Sequence, residues 1–207
     1  MLDKIINLSQ KIYNNMPVHP LDDKVVVEQN HTVGKEGYAN TQISLGMHSG
    51  THIDFPSHLI ENAKRTDSYE LDYFIGKACL IDAFGENVIT LKAEHKDKIE
   101  KYDIVLIYTG YGKYFEKEEY YGEDAPVLSV EFAKYLVKNH VKMVGMDLPS
   151  PDRYPYDIHK ILLSHDVLII ENLNNLEKLK GIESFMFCAM PLCIDAEASI
   201  TRGIAII

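Results

Sequence analysis

The sequence predicts an α/β fold, a mixed β-sheet core with flanking helices, and three observations carry that expectation. Apolar runs of strand length recur along the chain: VVV at 25–27, ACLIDAF at 78–84, DIVLIYT at 103–109, VKMVGMD at 141–147, VLII at 167–170, FMFCAMPLCI at 185–194 and a closing GIAII. Several are nearly continuous rather than alternating, which is the pattern of strands covered on both faces. Helical patterns lie between them, and strands interleaved with helices give an α/β arrangement.

In chain order, the first helix candidate is TLKAEHKDKIEK (90–101), a charged and mostly exposed segment with His95 on its solvated side. In SVEFAKYLVKNH, Val130, Ala133, Leu136 and Val137 form one apolar face and Ser129 is the expected N-cap. In HKILLSHDVLIIENL (159–173), His159 opens a short apolar helical stretch and Glu171 ends the VLII strand. NNLEKLKG reads as a helix stopped by Gly181. No repeat and no linker rich in Pro, Gly or Ser divides the chain, so the expectation is one domain over residues 1–207.

Composition narrows the function classes. The chain is 46% hydrophobic and 25% charged, ordinary for a soluble globular protein. A formal net charge of −10 repels phosphate backbones and argues against a nucleic-acid partner. No run reaches the roughly 18 apolar residues of a membrane span. The start, MLDKIINLSQKIYNN, lacks a basic segment followed by an apolar core, so no signal peptide is expected. Cys79, Cys188 and Cys193 are odd in number and form no CxxC site. They read as free thiols in a reducing, cytoplasmic compartment.

One short stretch stands out. HSGTHIDFPSH (48–58) packs three histidines and an aspartate into eleven residues. A helix would place His48 and His52 on one face but turn Asp54 away, and Gly50 and Pro56 would weaken it. A strand would put 48, 52, 54 and 58 on one face, yet leave His48 and Asp54 roughly 20 Å apart at 3.3 Å per residue. Ligands of one ion must converge, so the segment must curl, and Gly50 and Pro56 suit a curling chain. Imidazoles with a carboxylate suit a divalent transition metal. His19, His31, His95, His140 and His165 read as packed or solvent-facing. His159 and Glu171 form a second candidate pair, because strand ends commonly build sites. On spacing alone, that pair also reads as a surface histidine and a strand-terminal carboxylate.

The eleven-residue stretch resembles the HxGTHxDxPxH signature of the cyclase family, whose best-known members are bacterial metal-dependent kynurenine formamidases. Every fixed position is matched: His48, Gly50, Thr51, His52, Asp54, Pro56 and His58. INLSQKIYNNMPVHP resembles the family's "DLS…MPvyP" opening, YTGYG (108–112) its TG segment, and VGMDLPSPD (144–152) its "GIDtPSvD" segment. The block from His159 to Glu171 resembles its H…LL…ENL block. The tail PLCIDAEASITRGIAI keeps Pro191, Leu192 and Arg202 but departs from the family's DGSP pattern. HPLDD stands where the family often has PGD, and the chain has no tryptophan.

The resemblance implies a swivelling β/β/α fold and a homodimer or dimer of dimers. It implies that His48, His52 and Asp54 hold one metal, and that Asp54 bridges to a second completed by His159 and Glu171. His58 would be the catalytic base or acid. Two Zn²⁺ ions, or Mn²⁺, would serve a hydrolase of a small amide, formamide or lactam, acting on a non-peptide C–N bond as an arylformamidase does. Thr51 and Asp152 are candidates for orienting the ligands, and Phe55, Leu59 and Tyr111 for apolar lining. Two other readings exist. His52 and Asp54 with a distant histidine fit the 2-His-1-carboxylate site of non-haem iron oxygenases, with Arg202 as an anchor for an acidic co-substrate. That site leaves His48, His58 and Glu171 without a role. A non-catalytic binding protein on the same scaffold is the third.

Overall fold

The computed structural model describes residues 4–207, the side chain of Glu118 excepted. Nine strands form one mixed sheet. Across it they run Ile5–Asn7, Ile204–Ile206, Phe185–Cys188, Ile75–Asp82, Ile104–Tyr108, Met143–Met146, Leu168–Glu171, His52–Asp54 and Ala198–Ile200. The four central strands, from Ile75–Asp82 to Leu168–Glu171, are parallel and the flanking ones antiparallel. The α/β fold with a mixed sheet is therefore what this sequence adopts.

The near-continuous apolar runs are explained by burial on two faces. On one face Cys79, Ile81, Val105, Ile107, Val144, Met146 and Ile169 pack against Phe132, Ala133 and Leu136 of the helix Val130–Lys138 and against Ile158, Leu162 and Leu163 of the helix Asp157–Leu163. On the other, Ala78, Leu80, Ile104, Leu106, Leu168 and Ile170 pack with Ile53, Phe74, Phe185, Phe187 and Leu176. Alternate residues of each strand serve opposite layers, as a period of two requires. Gly145 sits where a Cβ would come within 2.7 Å of Leu173 Cδ1 and 2.8 Å of Leu106 Cδ2, so the sheet can close there only without a side chain.

Several expectations need correction. The helix Val130–Lys138 is capped by Ser129, whose Oγ accepts from Phe132 N at 3.2 Å, but its inward face is Phe132, Ala133 and Leu136. Val130 is exposed, because the aromatic ring buries more apolar area than the valine could. The charged segment 90–101 forms the helix Ala93–Ile99, yet His95 points inward, buried against Phe132, and its Nδ1 accepts from Lys92 N. NNLEKLKG forms only the 3-10 turn Leu176–Leu179, with Gly181 beyond it in the left-handed region. VVV enters the strand Val26–His31, which pairs with Asn40–Ser44 as an isolated hairpin outside the main sheet. No helix among the described residues is long and apolar enough to cross a membrane.

Candidate metal centre

The 48–58 segment curls, but only at its ends. His52–Asp54 is a true strand, so His52 and Asp54 share a face and Ile53 drops into the opposite apolar layer. Gly50, at φ 63°, reverses the chain before it and brings His48 back over that face. The left-handed φ costs glycine little and other residues much. After the strand, the 3-10 turn Pro56–His58 curls His58 inward.

Register brings in the second block. Leu168–Glu171 pairs antiparallel with His52–Asp54 so that Glu171 stands opposite His52 and Ile169 opposite Asp54. Directly opposed residues project to the same side. That side is the helix-covered one, and His159 enters it from the helix Asp157–Leu163. The structure thus brings His48, His52, Asp54, His58, His159 and Glu171 together. His48 Nδ1 lies 3.0 Å and His52 Nε2 3.3 Å from Asp54 Oδ1, and His52 Nε2 is 3.3 Å from Glu171 Oε2. His159 Nε2 lies 3.4 Å from Glu171 Oε1 and 3.7 Å from Asp54 Oδ2. The His48 and His58 rings are 4.3 Å apart. Two sets, His48–Asp54–His58 and His52–Asp54–Glu171, each offer ligand atoms within 4.8 Å of one another, and Asp54 belongs to both.

These residues fit a divalent cation. Two atoms bonded to one ion at about 2.1 Å in tetrahedral or octahedral geometry lie roughly 3.0–3.4 Å apart, which matches most of the separations above. His52 Nε2 and both Asp54 oxygens are buried with no hydrogen-bond partner among the described residues. Orphaned polar atoms of this kind are costly and rare. The electrostatics agree. Burial would lower His52, but Asp54 and Glu171 outweigh it and raise the imidazole to about 10. Burial would raise Asp54, but His52, His159 and His48 drive it well below the usual carboxylate range. The carboxylates that hold protons on these rings would equally favour a cation in their place. His58 is pushed down, chiefly by burial, and so stays neutral.

The second nitrogens of His159 and His52 are tethered. Asp152 Oδ1 lies 2.6 Å from His159 Nδ1, while its Oδ2 accepts from the Ile158 and His159 amides at 2.5 and 3.2 Å and so caps the helix. His52 Nδ1 meets the Gly50 carbonyl at 2.9 Å, and His48 Nε2 is 3.6 Å from Glu197. Thr51 makes no hydrogen bond to an imidazole among the described residues. Its Oγ1 accepts from Gln10 N at 2.8 Å and donates to Asn172 O at 2.7 Å, which joins the motif to the second block. Asn172 extends that join, donating from Nδ2 to Gly50 O at 3.0 Å and accepting from Tyr120 OH at 2.9 Å. Sequence reasoning passed over Asn172; the signal was a polar residue directly after Glu171, inside the ENL triplet.

A cavity of about 430 Å³ opens over the cluster, a volume that suits a small organic molecule. Leu59 lines it, together with His19, Tyr121, Pro149, Arg153 and Tyr156. Phe55 does not: it is wholly buried against Tyr69 and Phe74, because residue 55 alternates away from Asp54. Tyr111 packs on Tyr114 and Tyr120 instead.

Comparison with known proteins agrees in family and fold. An uncharacterized protein of Methanocaldococcus jannaschii is 35% identical over 99% of this chain and all of its own length. A kynurenine formamidase of Bacillus cytotoxicus is 28% identical over 96% of this chain and 95% of its own. The crystal structure of an isatin hydrolase bound to the product analogue thioisatinate superposes with a TM-score of 0.86, at 21% identity over 99% of this chain and 92% of that one. The profile of the family described as "Putative cyclase" matches residues 6–153. On that match, which spans more than half of the chain, this protein belongs to the cyclase family.

Proposed function

We propose that this protein is a metal-dependent hydrolase of a small amide, formamide or lactam. One observation carries the reading: three orphaned ligand atoms, on His52 and Asp54, lie buried among six convergent donors under a cavity sized for a small molecule. Its relatives supply the reaction class. A kynurenine formamidase cleaves a formamide, and isatin, the substrate in the name of the structural neighbour, is a lactam.

Two divalent ions, Zn²⁺ or Mn²⁺, are the proposed complement, with His48, His52, Asp54, His159 and Glu171 as ligands and Asp54 shared. Such ions acidify water and polarise a carbonyl oxygen. The chain's own groups do the rest. Asp152 fixes the tautomer and orientation of His159. His58, neutral and facing the cavity, accepts a proton from the attacking water and returns it to the departing nitrogen. The C–N bond breaks and the products are a carboxylate and an amine. A three-ligand oxygenase site would use only half of the six gathered side chains.

The test is an assay of formamides and lactams on metal-reconstituted protein, with metal analysis and oxygen monitoring. Expected are two ions per chain, activity abolished by chelation and restored by zinc or manganese, and no oxygen uptake. Activity that persists after complete metal removal overturns the mechanism. We also infer a homodimer or dimer of dimers, supported by the isolated hairpin. Val26, Val33, Tyr38 and Ile43 are exposed along it, and a two-stranded ribbon alone is marginal in water. A monomer in sedimentation at micromolar concentration would refute this. Free thiols at all three cysteines support a cytoplasmic setting.

A further inference from the structure

Of the cavity's polar groups that the scheme above leaves idle, one is buried without a partner among the described residues. Tyr121, at the end of the 3-10 turn Glu118–Tyr121, lines the cavity, and its hydroxyl is buried with no hydrogen-bond partner among the described residues. A phenol normally finds a partner when buried.

Its ring is held by two neighbours. The ring packs edge-on against Tyr120, with centroids 5.1 Å apart, and against His19 at 6.0 Å. Tyr120 OH donates to Asn172 Oδ1 at 2.9 Å, and Asn172 Nδ2 donates to the Gly50 carbonyl that also meets His52 Nδ1. The turn is therefore tied to the backbone that carries both Glu171 and His52. Burial, with the charges of Glu171 and Asp22, keeps the phenol protonated. Protonated, it is a donor in a cavity whose ionised groups are largely acceptors. The cavity's one guanidinium is already engaged, with Arg153 Nη2 donating to the Glu123 and Ala125 carbonyls.

We propose that the Tyr121 hydroxyl donates a hydrogen bond to the substrate's acyl oxygen as negative charge gathers there. The proposal rests on the hydrolase reading. As the water oxygen bonds to the acyl carbon, the carbonyl π pair moves onto the acyl oxygen that Tyr121 meets. The pair returns when the C–N bond breaks, its electrons leaving with nitrogen, which takes the proton from His58. Tyr121 keeps its own proton throughout.

The experiment compares the metal-loaded parent with Tyr121→Phe on formanilide and isatin. Removing one such donor lowers kcat about 100-fold with KM within about twofold, while metal content and melting temperature match the parent. A kcat within twofold of the parent, or a rise in KM alone, overturns the proposal. A parent inactive on both probes refutes the hydrolase and the donor together; an active parent with an equally active variant refutes the donor alone. If Tyr121→Phe fails to fold, 3-fluorotyrosine at position 121 decides. It retains the ring packing and offers a more acidic proton, so kcat should equal or exceed the parent's, and a tenfold fall would overturn the assignment.

Discussion

Two aspartates sit at the ends of neighbouring parts of the same sheet, and the fold treats them in opposite ways. Asp147 follows the strand Met143–Met146 and is 4% exposed; Asp54 closes the strand His52–Asp54 and is 1% exposed. Asp147 is saturated. Its Oδ1 accepts from Thr109 N at 2.8 Å and Thr109 Oγ1 at 2.7 Å, and its Oδ2 from Gly110 N at 2.8 Å and Gly112 N at 3.5 Å. Burial raises its carboxyl and those donors pull it back only in part. Among the described residues Asp54 receives no backbone donor, and imidazoles drive it down against burial. A buried carboxylate wrapped in amides organises a loop. One left open among histidines suits a cation, because no group among the described residues completes it.

The largest effect expected from this contrast is at Asp54. Asp54→Asn should leave a folded protein with near-zero metal content and background activity, since both ligand sets lose their shared member. Full metal occupancy in that variant, by mass spectrometry, would break the comparison. Asp147→Ala should act on stability instead. It strands three amides and a hydroxyl, at about 1–3 kcal/mol each before relaxation, so urea unfolding should report a loss of roughly 3–5 kcal/mol. The folded fraction should keep its metal. Metal loss at unchanged stability would erase the distinction between the two sites.

Asp152→Asn sharpens the boundary between them, because this carboxylate both caps a helix and steers His159. Metal affinity or activity should fall about 10–100-fold, measured by competition with a chromophoric chelator, while metal still binds at saturation. Asp166 is the surface counterpart. It accepts from Lys64 Nζ at 2.7 Å and Tyr69 OH at 2.8 Å, and Lys64 and Tyr69 hold its carboxyl below the ordinary value despite partial burial. A carboxylate depressed in the folded state stabilises above its unfolded pKa of about 3.9, and that contribution fades as pH falls through the lower folded value. Asp166→Asn should therefore cost no more than about 0.5 kcal/mol at pH 7 after screening. The difference from the parent should shrink as pH falls below about 3.9 in thermal melts, and a difference that stays constant through that acid range would refute the assignment.

Much of this was legible in the chain. The central strands announced themselves because residues buried on both faces must be apolar at nearly every position. The donors of 48–58 were visible because no packing need explains three histidines and an aspartate so close together. Where reading failed, alternation or competition decided. Phe55 follows Asp54 and so must face the opposite layer. His95 lies in a charged segment yet faces Phe132, since helix phase, not local composition, sets which residue turns inward. Thr51 sits inside the motif, but its hydroxyl is engaged by Gln10 and Asn172. The two segments around YTGYG and VGMDLPSPD showed no mutual role until Asp147 was found gripping residues 109–112.

The sequence by itself determined the α/β class, the apolar core strands and the identity of the clustered donors, because these depend on residue type and short-range periodicity. Only the tertiary structure decided that His159 and Glu171 join the 48–58 donors, that Asp54 is shared by both sets, and that Tyr121 keeps a hydroxyl unpaired among the described residues. Those outcomes depend on strand register and helix placement across more than a hundred residues of chain, where a one-residue slip would send every side chain of His52–Asp54 to the other face.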